Sequence, residues 1–452
     1  LFNEAETYAE APLPPTKKVS VAAHERKARG RKALPENLER REIVHELSLD
    51  ERTCASCGAV RPEIGQEVRE ELEIIPARAV VNVHILKKYG PCQCASCQKP
   101  IVQAEGPAKL LPGSSYSNHT VAFFLTSKYV DAQPFYRMEG VLSRWGIETT
   151  RQSLCKVAVA TGRALGDLIE ELRTDLKASP VLQMDETVVQ VLHEKNRNPQ
   201  SKSYMWVARG YREKRPILFF HYHPSRAKEI VQTFLAGYRG YVQTDGYAGY
   251  EEAGRSPGVT HVGCLAHVRR KFFDAEKQGS TEASAFLRHI AELYHAEQKL
   301  RQRYEEGALT TEAFLEERSR EQAPRLSAMK GWLLAKQGTS PPSLAFGKAV
   351  HYALGQWDRI EKYLEHALLT PDNNFVENAI RPFVVGRKNW LFSNTPLGAH
   401  ASAGIYSIIE AAKANGHEPY RYLCYLFDCL PKAKSKEEKR SLLPYILDPN
   451  SY

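Results

Sequence analysis

Short apolar runs, separated by polar or glycine-containing breaks, fill the middle of the chain between residues 180 and 263. Runs of this length, rich in β-branched and aromatic residues, are typical of buried β-strands. Residues 226–235 instead show helical spacing of their apolar positions. The pattern predicts a mixed α/β sheet in which a helix precedes the fourth strand. The predicted strands are residues 181–185, 203–208, 216–222, 240–244 and 260–263.

Helical spacing of apolar residues dominates the chain on both sides of this sheet. Gly146, followed by Thr150, predicts the end of one helix and the N-cap of the next, a junction tight enough to resemble a helix-turn-helix. After Pro431 we expect an irregular tail. Helices are predicted within residues 118–178, 268–368, 375–383 and 401–415; the apolar positions of the first group are Val121, Phe124, Leu125, Tyr129, Tyr136, Val141, Leu142, Trp145, Leu154, Val157, Ala160 and Leu165.

Two Cys-x-x-Cys pairs, Cys54 with Cys57 and Cys94 with Cys97, flank a β-like stretch at residues 70–88. Each pair forms a tight turn that presents two thiolates, and four thiolates complete the tetrahedron that zinc prefers. The pattern predicts a zinc ribbon with a structural Zn²⁺, in which the β-like residues form the hairpin between the pairs.

Two observations leave the zinc ligands open. The segment between the pairs is longer than common zinc spacings, and Cys92 makes a competing Cys-x-Cys with Cys94. The alternative is that the cysteines are free and buried, since unpaired cysteine packs as a small hydrophobe. We expect that simpler state for Cys155, Cys424 and Cys429, which lie on apolar helical faces.

Composition places the chain among globular proteins, with 42% hydrophobic and 25% charged residues in 452 positions. This length predicts two to four domains. No apolar run approaches the roughly 20 residues needed to cross a bilayer, and no secretory signal is present, which favours a cytoplasmic protein. Because the chain begins with Leu1 rather than Met, we expect a truncated or processed form.

The net charge of +9 suits a polyanionic partner, and its distribution is uneven. Residues 17–41 contain nine Lys or Arg against three Glu. This basic arm is either a solvated linker or a segment that lies along DNA phosphates, where each neutralised phosphate releases counterions.

Three acidic residues stand out by their settings. Asp185 closes the first predicted strand and Asp245 follows the fourth, and such strand ends are where α/β sheets place ligands. Gly246 would allow another backbone, or DNA, to approach closely. Glu377 lies on a predicted helix that packs its opposite face on the sheet. The apolar residues of that helix are Phe375, Ala379 and Phe383.

Three carboxylates that meet at one point repel each other unless a cation lies between them. Hard divalent ions such as Mg²⁺ take oxygen ligands of this kind, and two such ions can support phosphoryl transfer. Taken singly, each acid is equally compatible with a helix cap or a surface charge. We expect the neighbouring Glu186 and Asp372 to be dispensable for activity.

These residues belong to a series of ordered blocks that resembles the insertion-sequence-66 family of bacterial transposases. The resemblance covers nearly the whole chain after about Leu34, although the leucine-zipper-like segment usual in the family is almost absent. Besides the cysteine pairs, the matching blocks are residues 34–40, 127–131, 134–137, 185–187, 244–250, 264–272, 374–382 and 386–392.

The resemblance implies a multidomain α+β protein: a zinc ribbon, a helical helix-turn-helix-like DNA-binding region and a ribonuclease H-like α/β core interrupted by an all-α insertion. It also implies that Asp185, Asp245 and Glu377 form a DDE triad that binds two Mg²⁺ or Mn²⁺ ions. The expected divisions are a basic lead-in (1–50), the ribbon (51–105), the DNA-binding region (106–178), the core (179–267 and 371–430), the insertion (268–370) and a tail (431–452).

The activity implied is cleavage and strand transfer of DNA at the ends of an insertion sequence. The partners implied are the terminal inverted repeats and target DNA, a second copy or more of the chain on that DNA, and accessory proteins of the same element. A bacterial, nucleoid-associated location follows. A structure-selective nuclease of the same fold and a catalytically inactive DNA-binding derivative are the alternatives.

Several basic residues are candidates for DNA contact. Cys264 and His267 form a Cys-x-x-His that is similar to a motif after the fifth strand in several transposase groups, and two ligands alone make a weak metal site. We therefore favour a structural or DNA-positioning role for His267. Trp390 is expected to pack in an interface rather than stack on a base. The candidate DNA contacts are Arg29, Arg31, Lys32, His267, Arg269, Arg270, Arg381, Arg387 and Lys388.

Overall fold

The computed structural model describes residue 36 and residues 39–53, 56–60, 64–72, 78–90, 101–251 and 253–452. These residues form a mixed α+β protein with two compact units, residues 1–80 and 81–452. The helices are α1 (Leu49–Arg52), α2 (Asn118–Tyr129), α3 (Phe135–Arg144), α4 (Arg151–Ala164), α5 (Gly166–Lys177), α6 (Lys228–Phe234), α7 (Leu265–Lys277), α8 (Thr281–Glu305), α9 (Thr311–Gln337), α10 (Ala345–Ile360), α11 (Asn374–Trp390), α12 (Pro396–Ala414), α13 (Pro419–Cys429) and α14 (Lys436–Ser441). The strands are β1 (Lys88–Tyr89), β2 (Val102–Gln103), β3 (Val181–Gln190), β4 (Lys202–Arg212), β5 (Arg215–His223), β6 (Gly240–Gln243) and β7 (Val259–Val262).

The first unit contains helix α1, which begins with a capping box. Ser48 Oγ accepts the backbone N–H of Glu51, and the Glu51 carboxylate accepts the backbone N–H of Ser48. An antiparallel bridge pairs Thr53 with Val60. Helix α1 and this bridge are the regular secondary structure of this unit among its described residues.

The prediction of a β-like stretch at residues 70–88 is wrong for most of the residues that the structure describes there. Residues 70–72 and 78–87 form no strand, and β1 pairs with β2 instead, on either side of residues 91–100. Val81, Val83 and Ile85 are at least 80% exposed. An alternating pattern forms a strand only where a partner strand and a packed face are available.

After β1 and β2, the second unit forms the helices α2 to α5 within residues 118–178, where helices were predicted. Gly146 has a φ of +76°, which ends α3, and Thr150 caps α4 by accepting the backbone N–H of Ser153. One residue differs from the expectation: Tyr136 is 70% exposed, because α3 turns Phe135 and Met138 toward the core instead. A shift of one position rotates a helical side chain by about 100°.

The five predicted strands are all present in one sheet with the order β5-β4-β3-β6-β7. Strand β4 pairs antiparallel with both β3 and β5, whereas β6 pairs parallel with both β3 and β7. Helix α6 precedes β6, as the spacing indicates. Helices α5, α11 and α12 pack on the sheet, α11 on β3 and β4 and α12 on β5.

Between β7 and α11 the chain forms helices α7 to α10, in agreement with the predicted helical stretch. A buried ion pair holds them to the loop that leads into α11. Arg318 is fully buried and donates to both oxygens of Glu297, to the Leu369 carbonyl at 2.7 Å and to the His366 carbonyl. None of the described helices is long and apolar enough to cross a membrane.

The end of the chain differs from the irregular tail that was predicted. It forms α14, and the residues after it pack on the main core, with Leu443 and Tyr445 buried. Cys155 is exposed rather than buried, because it lies one position off the face of α4 that carries Leu154 and Ala158. Cys424 and Cys429 are half-buried at the edge of the core.

Candidate active site

Buried glutamine side chains fix where the ends of the central strands lie. Gln183 Nε2 donates to Gln243 Oε1 across 2.8 Å and thereby joins β3 to β6. Gln243 Nε2 donates to the carbonyls of Thr370, at 2.7 Å, and Gly263, at 3.3 Å. Because both glutamines are fully buried, an unmade bond here would cost about 1–3 kcal/mol. The first part of β3, the ends of β6 and β7 and the loop before α11 are thus held together.

Asp185 lies inside β3, two residues after Gln183 and on the same face of the strand. The prediction that it closes the strand is wrong, because pairing with β4 continues the strand to Gln190. Its Oδ1 accepts the backbone N–H of Glu186 at 2.8 Å. Burial raises the pKa of Asp185 to about 8, with smaller contributions from the charges of Glu186, Glu377 and Asp245. The charges of Glu377 and Asp245 therefore reach Asp185, and a cation among the three would be stabilised. Among the described residues, the three carboxylates do not form a ligand group within 4.8 Å of one another.

Asp245 follows β6 and lies in a tight turn. Its Oδ1 accepts the backbone N–H of Tyr247 at 3.0 Å, and Thr244 Oγ donates to the Asp245 carbonyl at 2.9 Å. His261 Nε2 in β7 lies 2.9 Å from the same hydroxyl. Because the hydroxyl hydrogen is used on the carbonyl, Nε2 is assigned as the donor. Strand β7 thereby fixes the turn that carries Asp245.

Gly246 does allow a close approach, and the group that approaches is Tyr352 of α10. A Cβ at position 246 would lie 2.4 Å from Tyr352 Oη and 3.0 Å from two of its ring carbons. Burial, followed by the nearby charge of Asp245, raises the pKa of Tyr352 to about 12 and keeps its hydroxyl neutral. The helices between β7 and α11 therefore contact the turn that carries Asp245.

Glu377 lies in the first turn of α11, which packs on β3. Of the predicted apolar positions, Phe383 is buried and Ala379 packs against the core, whereas Phe375 is 46% exposed; Val376 and Ile380 are buried in addition. The prediction that Glu377 lies on a helix packed against the sheet is confirmed. Its contribution to the pKa of Asp185 places its charge near β3.

Asp372, which the sequence marks as dispensable, organises the start of α11. It is buried, and its two oxygens accept the hydroxyl of Tyr294 at 2.7 Å and the backbone N–H of Asn374 at 3.1 Å. Asn373 is fully buried beside it. Helix α8 therefore holds the residues that precede Glu377.

Glu186 is also engaged rather than free. Its buried carboxylate forms an ion pair with Arg226 and accepts the hydroxyl of Tyr250. Arg226 stacks over the ring of Tyr247 at 3.5 Å, and burial raises the pKa of Glu186. Sequence reasoning missed Arg226 and Tyr250, because 40 and 64 residues separate them from Glu186 and neither lies in a local pattern with it.

Cys264 and His267 lie beside Glu377. His267 Nδ1 is 3.8 Å from Glu377 Oε1, and Arg270 Nη2 is 4.0 Å from Glu377 Oε2. Cys264 is buried at the start of α7, and burial raises the pKa of its thiol to about 12. The Cys-x-x-His pair thus shares the immediate surroundings of the third carboxylate.

The remaining candidate DNA contacts fall into two groups on α7 and α11. Arg387 is half-buried and donates to Thr187 Oγ1 at 3.2 Å, two residues beyond Asp185 on the same face of β3. The exposed residues among these candidates are Arg269, Arg270, Arg381 and Lys388.

Arg209, which the sequence did not indicate, stacks over Phe375 at 4.3 Å and donates to Gln183.

Trp390 packs as an interface residue at the end of α11. Its ring meets Phe383 edge to face at 5.5 Å, and the ammonium of Lys128 lies 5.2 Å from its centre. Burial lowers the pKa of Lys128 to about 8. These contacts support the expectation of a packing role.

Most of the predicted zinc ligands and part of the basic arm lie outside the described residues. Cys57 is described and is exposed. The candidates outside are Arg29, Arg31, Lys32, Cys54, Cys94 and Cys97, together with the competing Cys92.

Comparison with known families accounts for nearly all of the chain after residue 50. Residues 113–401 match the family described as Transposase IS66 family, and residues 407–445 match the IS66 C-terminal element. Residues 51–98 match the zinc-finger binding domain of transposase IS66, which supports a structural zinc in this segment. The first match contains all three carboxylates of the candidate site.

Relatives of similar length occur in Sinorhizobium fredii. The uncharacterized protein y4jD is 27% identical over 439 residues, which cover 94% of this chain and 84% of the relative. The uncharacterized protein y4qI is 27% identical over 439 residues, with 94% and 79% covered. With the family model spanning the whole candidate site, the chain belongs to the IS66 family of transposases.

Proposed function

We propose that the chain cleaves DNA at the ends of an insertion sequence and joins the freed ends to target DNA, using Asp185, Asp245 and Glu377 as a DDE triad. The observation that carries this proposal is that Asp185 lies in β3, that Asp245 lies in the turn after β6, which pairs with β3, and that Glu377 lies on α11, which packs on β3. Burial raises the pKa of Asp185 to about 8, and the charges of Glu377 and Asp245 add to the rise. Such a group is unfavourable alone and becomes favourable around cations.

The sheet topology supports a ribonuclease H-like core. Three consecutive antiparallel strands are followed by two strands parallel to the first, with a helix between, which is the arrangement expected of such a core. The helices α7 to α10 then correspond to the insertion between the second Asp and the Glu. Their contacts at Tyr352 and Tyr294 support a role in shaping the site rather than a detached domain.

The donor set fits Mg²⁺ or Mn²⁺, because Asp185, Asp245 and Glu377 offer hard carboxylate oxygens. Bound there, two such ions would activate a water or a 3′-hydroxyl and stabilise the leaving oxygen. Cleavage breaks the bond between phosphorus and the 3′-oxygen and frees a 3′-hydroxyl, which next attacks a target phosphodiester and displaces its 3′-oxygen.

The protein contributes positioning and charge. The Gln183–Gln243 bridge and the Glu186–Arg226 pair fix the strands and turn that carry the two aspartates. We assign to Arg381, Arg387 and Lys388 the binding of the DNA phosphates that lie beside the triad. Preorganised groups of this kind lower the barrier without reorganising during the reaction.

We further propose that the ribbon holds one zinc through Cys54, Cys57, Cys94 and Cys97, and that α3 and α4 form a helix-turn-helix-like reader of the terminal repeats. The family match to a zinc-finger domain and the capped turn at Gly146 and Thr150 support these assignments. Assembly of two or more copies on DNA, help from accessory proteins and a cytoplasmic, nucleoid-associated location complete the proposal.

The test is incubation of the full chain with duplexes that cover both ends of its element, a target plasmid and Mg²⁺. We expect nicks at the element tips and covalent joining of the 3′ ends to the plasmid. Cleavage of branched or unrelated DNA without joining would favour a structure-selective nuclease, and end binding without cleavage would favour an inactive derivative.

A further inference from the structure

A second set of metal-ligating atoms lies next to the proposed triad. The sulfur of Cys264, a ring nitrogen of His267 and a carboxylate oxygen of Glu377 all lie within 4.8 Å of one another. Within the part of the chain that the structure describes, this is the one group of three His, Cys, Asp or Glu residues with such geometry. Two ligands of one tetrahedral ion lie roughly 3.3–3.7 Å apart, so a small rotation of these side chains suffices.

Cys264 is buried and is the N-cap residue of α7. A helix N-terminus favours the thiolate, which is the form in which cysteine binds metals.

Each of the other two ligands has one buried atom that makes no hydrogen bond among the described residues. His267 Nδ1 and Glu377 Oε1 are inaccessible to solvent, lie 3.8 Å apart and have no hydrogen-bond partner among the described residues. Buried polar atoms are rarely left unbonded, and such exceptions mark places where an ion or water is missing. A cation between them would satisfy both atoms at once.

We propose that Cys264, His267 and Glu377 form a site for Zn²⁺ or another thiophilic divalent ion, and that this ion draws Glu377 away from the two aspartates. A thiolate and an imidazole select a softer ion than Mg²⁺. Three protein ligands leave a fourth position open. Inhibition by this ion rests on the proposed function, because Glu377 then serves two sites. In the catalytic site Glu377 supports cleavage, and when it binds the second ion it is no longer available to the catalytic site.

Binding is tested on the full chain by saturation with Zn²⁺, removal of free metal and measurement of zinc per chain. Cys264→Ser and His267→Gln should each lose about one equivalent relative to the unchanged protein. Cys155→Ser, which removes an exposed cysteine on α4, should lose none. Far-ultraviolet circular dichroism identifies any variant that fails to fold. If one of the two site variants fails to fold, the zinc content of the other decides. Equal zinc content in all folded proteins would overturn the site.

Inhibition is tested by adding Zn²⁺ to the Mg²⁺-supported cleavage reaction. We expect the ratio of rates with and without Zn²⁺ to fall strongly for the unchanged protein and to stay near unity for Cys264→Ser. If zinc binds as predicted but the ratio falls equally in both, the shared role of Glu377 is refuted. If the protein binds zinc at this site but never cleaves DNA, the proposed function fails and the site stands.

Discussion

At the scale of single residues, the acidic side chains at the edge of the sheet divide into two groups by their partners. Arg226 and Tyr250 bind the carboxylate of Glu186, and Tyr294 donates a hydrogen bond to the carboxylate of Asp372. The three carboxylates of the proposed triad accept few bonds from the protein, and Glu377 Oε1 accepts none from the described residues. Engaged carboxylates position their neighbours, whereas unengaged ones are free to bind ions.

Glu186 is therefore expected to matter for stability, although we expect it to be dispensable for activity. Glu186→Gln removes the charge that pairs with Arg226 and should lower the free energy of unfolding by about 1–3 kcal/mol. Urea denaturation measures the change. The matched control is Glu229→Gln, an exposed position in α6, which should change little. Equal stability of both variants would show that the pair contributes nothing.

His261 gives the turn at Asp245 a defined dependence on pH. Burial, with a smaller contribution from Arg359, lowers the pKa of His261 to about 4. The unfolded chain binds the proton at its ordinary pKa of 6.5, so the stabilising contribution is complete above pH 6.5 and is lost as the pH falls toward 4. His261 alone should make the free energy of unfolding about 2 kcal/mol smaller at pH 5 than at pH 7.

The variant His261→Gln isolates this contribution, because glutamine can still bond Thr244 but does not titrate. The difference between the two proteins should shrink as the pH falls from 7 to 5 in urea denaturation. Parallel losses in both proteins would mean that other groups cause the acid dependence.

Residue patterns predicted the positions of Asp185, Asp245 and Glu377 but not the residues that hold them. Each of the three lies in or just after a local apolar pattern that a single stretch of sequence reveals. The partners of Glu186 and the approach of Tyr352 to Gly246 depend on contacts between distant segments, and no local spacing encodes them. Cys155 shows the opposite failure, since an apolar neighbourhood was mistaken for a buried position.

At the scale of elements, the site depends on the contact between α10 and the turn after β6. Gly246→Ala would place a methyl group 2.4 Å from Tyr352 Oη, so the turn, the Tyr352 side chain or the helix must move. Overpacking of this kind costs about 1–3 kcal/mol, and the displaced Asp245 should also lower cleavage. Thermal unfolding and the cleavage rate measure the two effects.

The double variant Gly246→Ala with Tyr352→Phe removes the nearest atom and should recover part of both losses. Gly331→Ala in α9 serves as the control, because a Cβ there meets nothing within 4 Å and alanine favours a helix. Full activity in Gly246→Ala would show that α10 and the turn are not tightly coupled.

Element types were more predictable than their faces. All five strands and the helices around them follow from apolar spacing, because long periodic segments bury a continuous stripe or run. On α3 and α11 one predicted apolar position each, Tyr136 and Phe375, is exposed, which tertiary packing decides. The β-like stretch before the second cysteine pair failed because pattern alone supplies no partner strand.

At the scale of the whole molecule, charge is concentrated at residues 17–41 and on the helices beside the site. The order of motifs along the chain allowed the family to be predicted from sequence, and the family match confirms it. The sheet order itself follows from long-range pairing, which motifs do not specify.

Deletion of residues 1–41 should weaken binding to all duplexes alike, because clustered Lys and Arg bind phosphates rather than bases. The slope of log affinity against log salt should become shallower by about 0.9 for each phosphate that the arm neutralises. Fluorescence anisotropy at several salt concentrations, with end and unrelated DNA, measures both effects. Weaker binding confined to end DNA would instead make the arm a sequence reader.

Cleavage by the triad variants tests the central claim most directly. Asp185→Asn, Asp245→Asn and Glu377→Gln should each lower the rate of end cleavage by at least about 10³-fold with end binding retained, and the triple variant should be no worse. The exposed controls Asp274→Asn and Glu229→Gln should cut normally. Normal cleavage by all three triad variants would contradict the account.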